Sequence, residues 1–196
     1  MVWEILNNMA KPFPSLSASH TAMEVTLRLV IDNDLQPADI TKITVRTYNT
    51  VRSHFSNYQI DNAMTARLSV PYCVAVCAAT RNAGLEAFRI ETIKSPDVQA
   101  MLKKVEIVVD PELDKLHPGQ LPSNIEIIMT NGQVYKGEMY HAKGSPKNPF
   151  STDELYEKFR RLATPTIGTE RANQIVEMTE NLESIKNIKT FSRLFA

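Results

Sequence analysis

Apolar residues recur at helical spacing from Ser19 to Ile31, where Met23, Leu27 and Val30 share one stripe and Val25 and Leu29 widen it. The pattern predicts a helix buried along much of its surface. The period then changes: "ITKITVRTYNT" (40–50) alternates Ile43, Val45 and Thr47 against Lys42, Thr44 and Arg46, as a half-buried strand does. "VEIVVD" (105–110), "SNIEIIMT" (123–130) and "QVYKGEMY" (133–140) are strand-like too. Asn131-Gly132 between the last two is the preferred pair for a two-residue type I′ hairpin, so the sheet is expected to be at least partly antiparallel.

Two further helices are marked by their ends. "TARLSVPYCVAVCAAT" (65–80) is apolar on nearly every face after Pro71, a residue suited to a first helical turn, and such a helix belongs inside the protein. "SPDVQAMLKK" (95–104) opens with a serine cap and a proline and closes on two lysines, charges that suit the helix dipole. "VWEIL" (2–6) is a short extended or helix-end segment. "RSHFSNYQIDNAMT" (52–65) reads as a long polar connection, of the kind that is more often functional than idle inside a compact domain.

After the loop "HAKGSPKNPFS" (141–151) the chain reads as helical to its end. Ser151 and Glu154 form a capping box, and Leu155, Phe159 and Leu162 make one stripe beside Glu154/Lys158 and Glu157/Arg161 pairs. "GTERANQIVEMTENLESI" (168–185) repeats the pattern through Ala172, Ile175, Val176 and Leu182. The expected architecture is α+β: a small, antiparallel-containing sheet with packed helices over 1–150, then a helical segment over 151–196. Those helices need apolar partners, and self-association is the expected remedy if the sheet does not supply them.

Composition narrows the function classes. At 43% hydrophobic and 22% charged, the 196-residue chain has ordinary globular usage and length for a proper core. Lys+Arg and Asp+Glu both number 22, so no global field draws the chain to nucleic acid or an anionic membrane. No 18-residue apolar run and no secretory n-region is present, which favours the cytoplasm as the expected location. Cys73 and Cys77 are too few for an iron–sulfur cluster or a structural zinc site and read as small core hydrophobes, so neither metal nor cofactor is expected.

The stretch "MAKPFPSLSASHTAMEV" (9–25) stands out because two prolines, three serines, a lysine and a histidine lie at or before the start of the first long helix. Either it is an ordinary loop, or it holds Lys11 and His20 toward something negatively charged. Lys143 and Lys147 offer further cations, with simple hydration as the plain alternative. His54, Tyr58 and Arg67 either line a cleft or belong to a surface connection, and Tyr140 and His141 at a strand end carry the same two readings.

The succession "WEIL…KPFPS…H" (3–20), "ITKITVRT" (40–47), "ARLSVPYCVAV" (66–76), "KVEIVVD" (104–110), "NGQVY" (131–135), "AKGSPKNPFS" (142–151) and "DELYEKFR" (153–160) resembles the C-terminal half of the MmgE/PrpD family. That family includes 2-methylcitrate dehydratase, cis-aconitate decarboxylase and iminodisuccinate epimerase. The resemblance implies a small α+β domain, with 151–196 belonging to a large all-helical domain whose other helices are supplied elsewhere in chains about twice this length. It implies a cofactor-independent lyase acting on a small di- or tricarboxylate, 2-methylcitrate dehydratase-like and of propionate catabolism. Lys11 then falls on the lysine that faces the substrate, and His20 on a histidine opening the helix, either a cleft residue or a structural group. The implied catalytic residues are Lys11 and His20, with Lys11 and Lys143 binding substrate. Decarboxylase-type relatives carry a histidine five residues after the lysine, where this chain has Leu16. That departure argues against decarboxylase-like chemistry. The resemblance also implies that most of the acids and bases lie in the helical half, so the chain alone is expected to be inactive, as a split-gene subunit, truncated product or excised domain, and to partner a polypeptide carrying the helical half or a second copy of itself. The alternative is a non-catalytic dimerising or ligand-binding module derived from the family.

Overall fold

The computed structural model describes residues 3–195. In chain order the elements are α1 (His20–Asp32), β1 (Ile40–Thr47), α2 (Asn49–His54), α3 (Ala63–Arg67), α4 (Val70–Thr80), α5 (Ile90–Ile93), α6 (Pro96–Leu102), β2 (Val105–Val109), α7 (Pro111–Asp114), β3 (Ser123–Met129), β4 (Val134–Met139), α8 (Thr152–Ile167), α9 (Thr169–Glu180) and α10 (Ile188–Ser192), with short 3-10 turns between. They fall into two compact units, one up to Asn148 and one from Pro149.

The first unit is built on a mixed four-stranded sheet in the order β2-β1-β3-β4. β1 runs parallel to β2, with Ile43 opposite Val105 and Thr47 opposite Val109, and the crossover that a parallel pair requires is made by α2 to α6. β1 and β3 are antiparallel, as are β3 and β4. Ile43, Val45, Val105, Ile107, Ile125 and Ile127 are buried on one face. The other face carries a charged lattice, in which Lys42 pairs with Glu106 at 2.6 Å and Lys136 with Glu126 at 2.8 Å. This alternation is that of a sheet packed on one side only.

Helix α4 lies in the core, with Val70 to Ala78 all buried, as its all-round apolar sequence predicts. Its first turn is held by Ser69, whose hydroxyl accepts from Tyr72 N at 3.1 Å and donates to Asn57 O at 2.6 Å. Helix α1 packs on β3, β4 and α4. It approaches β4 so closely that a Cβ on Gly137 would lie 2.8 Å from Val25 Cγ1, which is why that strand position carries no side chain.

Three expectations are corrected. The stretch 52–65 is not one connection: α2 and α3 occupy its ends, the latter closed by a capping box between Asn62 and Thr65. Only Val51 of α2 is buried, so no apolar stripe announced that helix. The β3–β4 turn is not a two-residue I′ hairpin, because only Gly132 has positive φ, at 82°. Met129 N donates to Gln133 O at 2.9 Å and Gly132 N to Met129 O at 3.0 Å, the longer loop that ends in a left-handed glycine. The segment 168–185 is helical only to Glu180.

The second unit pairs α8 with α9. The Ser151–Glu154 capping box opens α8, with Glu154 N to Ser151 Oγ at 3.2 Å and Ser151 N to Glu154 Oε2 at 2.7 Å. Arg160 Nε donates to Asn173 Oδ1 at 2.8 Å across the pair, and Ala172, Ile175 and Val176 are buried. Leu155, Leu162, Leu182, Ile188 and Phe195 stay exposed. No helix among the described residues is long and apolar enough to cross a membrane.

Replacing Gly137 by alanine is expected to destabilise the first unit by about 1–3 kcal/mol, since Val25 is fully buried and cannot yield freely. Urea unfolding checks this; an unchanged midpoint contradicts the close approach of α1 to β4.

Candidate functional site

The loop from Lys11 to Ser19 is ordered by its own side chains. Ser15, Ser19 and Met23 follow at intervals of four, so their side chains stack at the entrance of α1. Ser19 Oγ donates to Leu16 O at 2.8 Å; its single proton being used there, Ser15 Oγ supplies the proton of the 2.8 Å Ser15–Ser19 contact. Both hydroxyls rest on Met23 Sδ, at 3.3 and 3.4 Å. Pro12 and Pro14 restrict the backbone between. Two backbone bonds dock the loop: Leu16 N to Arg67 O at 3.1 Å, and Ala10 N to Gly144 O at 2.9 Å.

Lys11 is exposed, and its Nζ donates to the carbonyl of Ser15 at 3.0 Å. His20, the first residue of α1, is fully buried. Its Nε2 lies 3.3 Å from the same Ser15 carbonyl, which can only accept, so Nε2 carries the proton. Nδ1 is buried with no hydrogen-bond partner among the described residues. The ring of Phe13 meets the imidazole edge-on at 5.6 Å. Burial lowers the His20 pKa to about 4, and the neighbouring Lys11 charge acts in the same direction against the carbonyls of Ser15 and Phe13.

The Ala10–Gly144 bond sets the Lys11 loop beside the loop bearing Lys143, which is half-buried. Both lie at the end of the sheet where β1 and β4 finish and β3 starts. There Thr21 Oγ1 donates to Leu121 O at 2.7 Å and contacts Ser123 Oγ at 3.0 Å, Thr47 Oγ1 donates to Pro122 O at 2.8 Å, and Leu121 N bonds Tyr140 O at 3.2 Å. The segments bearing Lys11, His20, Lys143, Tyr140 and His141 thus lie toward one end of the sheet.

Arg67 joins them through its backbone, while its guanidinium sits 5.9 Å over the Phe88 ring. Tyr58 does not: its hydroxyl donates to Val105 O at 3.1 Å, at the far end of β2 from the Thr47–Val109 pair. His54 ends α2 and Lys147 is exposed. Cys73 and Cys77 are fully buried, and burial pushes the Cys73 thiol up to about 12 and Cys77 well above its usual value, so both are unreactive. Periodicity gave no hint of Tyr48 and His117, which stack at 4.3 Å with the Tyr48 hydroxyl buried and unpartnered among the described residues; 69 positions separate them.

A cavity of about 400 Å³ lies elsewhere, on the charged face of the sheet. Arg46 and Lys136 line it together with Glu126 and Glu138, a balance that disfavours a polyanion. Among the described residues no cluster of three or more His, Cys, Asp or Glu side chains is placed to hold a metal ion.

His20 is neutral when folded but has its ordinary value of 6.5 when unfolded, so between about pH 4 and 6.5 the unfolded chain binds the extra proton. Stability contributed by the neutral ring is present above pH 6.5 and is lost as the pH falls toward 4. His20→Gln keeps a donor but cannot titrate; its unfolding free energy is expected to fall less steeply on acidification, by up to about 1.4 kcal/mol per pH unit. Parallel slopes for the two proteins in urea titrations across this window contradict the burial of a neutral imidazole.

Comparison with known proteins identifies the family. The MmgE/PrpD C-terminal domain matches residues 13–184. The chain is 24% identical to cis-aconitate decarboxylase of Homo sapiens, over 94% of its own length and 39% of that protein. The Mus musculus cis-aconitate decarboxylase gives 24%, 94% and 38%. A cis-aconitate decarboxylase-like protein, oryM of Aspergillus oryzae, gives 24%, 99% and 42%. The chain therefore spans about two-fifths of the length of these relatives. A domain match over residues 13–184, most of the chain, places this protein in the MmgE/PrpD family.

Proposed function

We propose that this chain is the C-terminal part of a lyase acting on a small di- or tricarboxylate, and that it contributes the cationic wall of the substrate site. The observation that carries this reading is the Lys11 ammonium, exposed, tied to the Ser15 carbonyl at 3.0 Å and presented by a proline-stiffened loop docked beside the Lys143 loop. A lysine ammonium is a compact charge that pairs with a carboxylate and stabilises the negative charge that builds as a proton leaves the adjacent carbon. A preordered loop loses less entropy on binding.

The reaction class is elimination by acid–base chemistry: a base takes the proton next to a carboxylate while an acid protonates the departing hydroxide. Leu16 stands where decarboxylase-type members carry a histidine, which favours a dehydratase of the 2-methylcitrate type over decarboxylation. The acid and base are assigned to the part of the relatives' length that these 196 residues do not span. The chain by itself is accordingly inactive.

Exposed apolar residues of the second unit favour a second reading, a non-catalytic module that dimerises through Leu155, Leu162, Leu182 and Ile188. Dehydratase activity on 2-methylcitrate or citrate separates the two. Turnover is expected only when a polypeptide carrying the helical part is added, and Lys11→Ala is expected to weaken substrate binding about 10- to 100-fold, the range for a charge-assisted hydrogen bond. Turnover by the chain alone, or equal affinity after Lys11→Ala, contradicts the proposal. A dimeric chain with no turnover in any combination supports the module instead.

A further inference from the structure

We infer that His20 is a positioning residue for the Lys11 ammonium: its Nε2–H and the Lys11 Nζ converge on one carbonyl, that of Ser15, so the imidazole holds in place the oxygen that holds the cation. The inference rests on the reading of Lys11 as the carboxylate-facing charge, and adds what aims it.

The two distances, 3.0 Å from Lys11 Nζ and 3.3 Å from His20 Nε2, use both lone pairs of a single backbone oxygen. The two donors differ in mobility. Lys11 is a flexible side chain at the surface, whereas His20 is fully buried at the start of a thirteen-residue helix, with the Phe13 ring against its edge at 5.6 Å. The rigid partner therefore sets the direction of the carbonyl, and the flexible one follows it. The hydroxyl stack of Ser15 and Ser19, 2.8 Å apart, fixes the side chain of the same residue and leaves its carbonyl free for these two donors. A fully buried ring is also poorly placed to exchange protons with a substrate, so it acts on the chemistry through Lys11 rather than on the reacting atoms.

The geometry separates two replacements. The side-chain nitrogen of glutamine reaches where Nε2 lies, and leucine fills the volume without a donor. Chemical modification of Lys11 by acetic anhydride at limiting reagent, followed by mass spectrometry with Lys42 and Lys147 as internal references, reads how firmly the ammonium is held without requiring activity. His20→Leu is expected to speed modification of Lys11 by about threefold to tenfold, the effect of losing one modest hydrogen bond, while His20→Gln restores the wild-type rate to within about twofold. An unchanged Lys11 rate in a folded His20→Leu protein overturns the inference, and so does a glutamine variant that behaves as leucine does. If the leucine variant does not fold, the tautomer of His20 in the wild-type chain decides: long-range proton–nitrogen NMR is expected to show the proton on Nε2, and a proton on Nδ1 overturns it. Citrate affinity, compared between wild type and Lys11→Ala, is measured alongside. If affinity does not depend on Lys11 while the modification pattern holds, the carboxylate reading fails and the tether stands.

Discussion

One backbone oxygen, the carbonyl of Ser15, organises the cationic end of this molecule. It accepts from an exposed ammonium and from a buried imidazole, in a segment restricted by two prolines and held by the Ser15–Ser19 contact. A neutral histidine is required in this place. Were the ring protonated, two cations would crowd one oxygen, and burial would penalise the charge further.

The rest of the first unit supports that arrangement. α1 is seated on β3 and β4 through the close approach at Gly137, and its first residues are tied to the 121–123 strand entry by Thr21. The same sheet end receives the Lys143 loop through Ala10 and Gly144. The cationic loop is therefore fixed at two points, one on the Arg67 backbone and one on the Gly144 backbone, on a frame whose core is a wholly apolar helix. The MmgE/PrpD C-terminal domain matches residues 13–184, which take in this frame, and the chain spans about two-fifths of its relatives' length.

Elements defined by a period were legible in the sequence, and those defined by contacts were not. The stripe of α1, the alternation of β1 and β3, the uniform apolarity of α4 and the Ser151 capping box all follow from local spacing. Helix α2 escaped because a short segment with one buried residue has no period to read. The Asn131-Gly132 pair named a turn but not its length, since Met129 and Gln133 close a wider loop than two residues span. For the site, Lys11 and His20 stood out beside the prolines. Their shared acceptor did not, because a carbonyl leaves no mark on a sequence, and the stacked Tyr48 and His117 are too far apart along the chain for any local signal.

The central claim is that the Lys11 ammonium, aimed by the Ser15 carbonyl, faces a carboxylate of the substrate. A crystal structure of the chain, together with the helical part of the enzyme and a bound tricarboxylate such as citrate, tests it most directly. The account places a ligand carboxylate oxygen about 3 Å from Lys11 Nζ with the contacts to Ser15 retained. A ligand bound away from this loop, with the Lys11 side chain turned into bulk solvent, contradicts it.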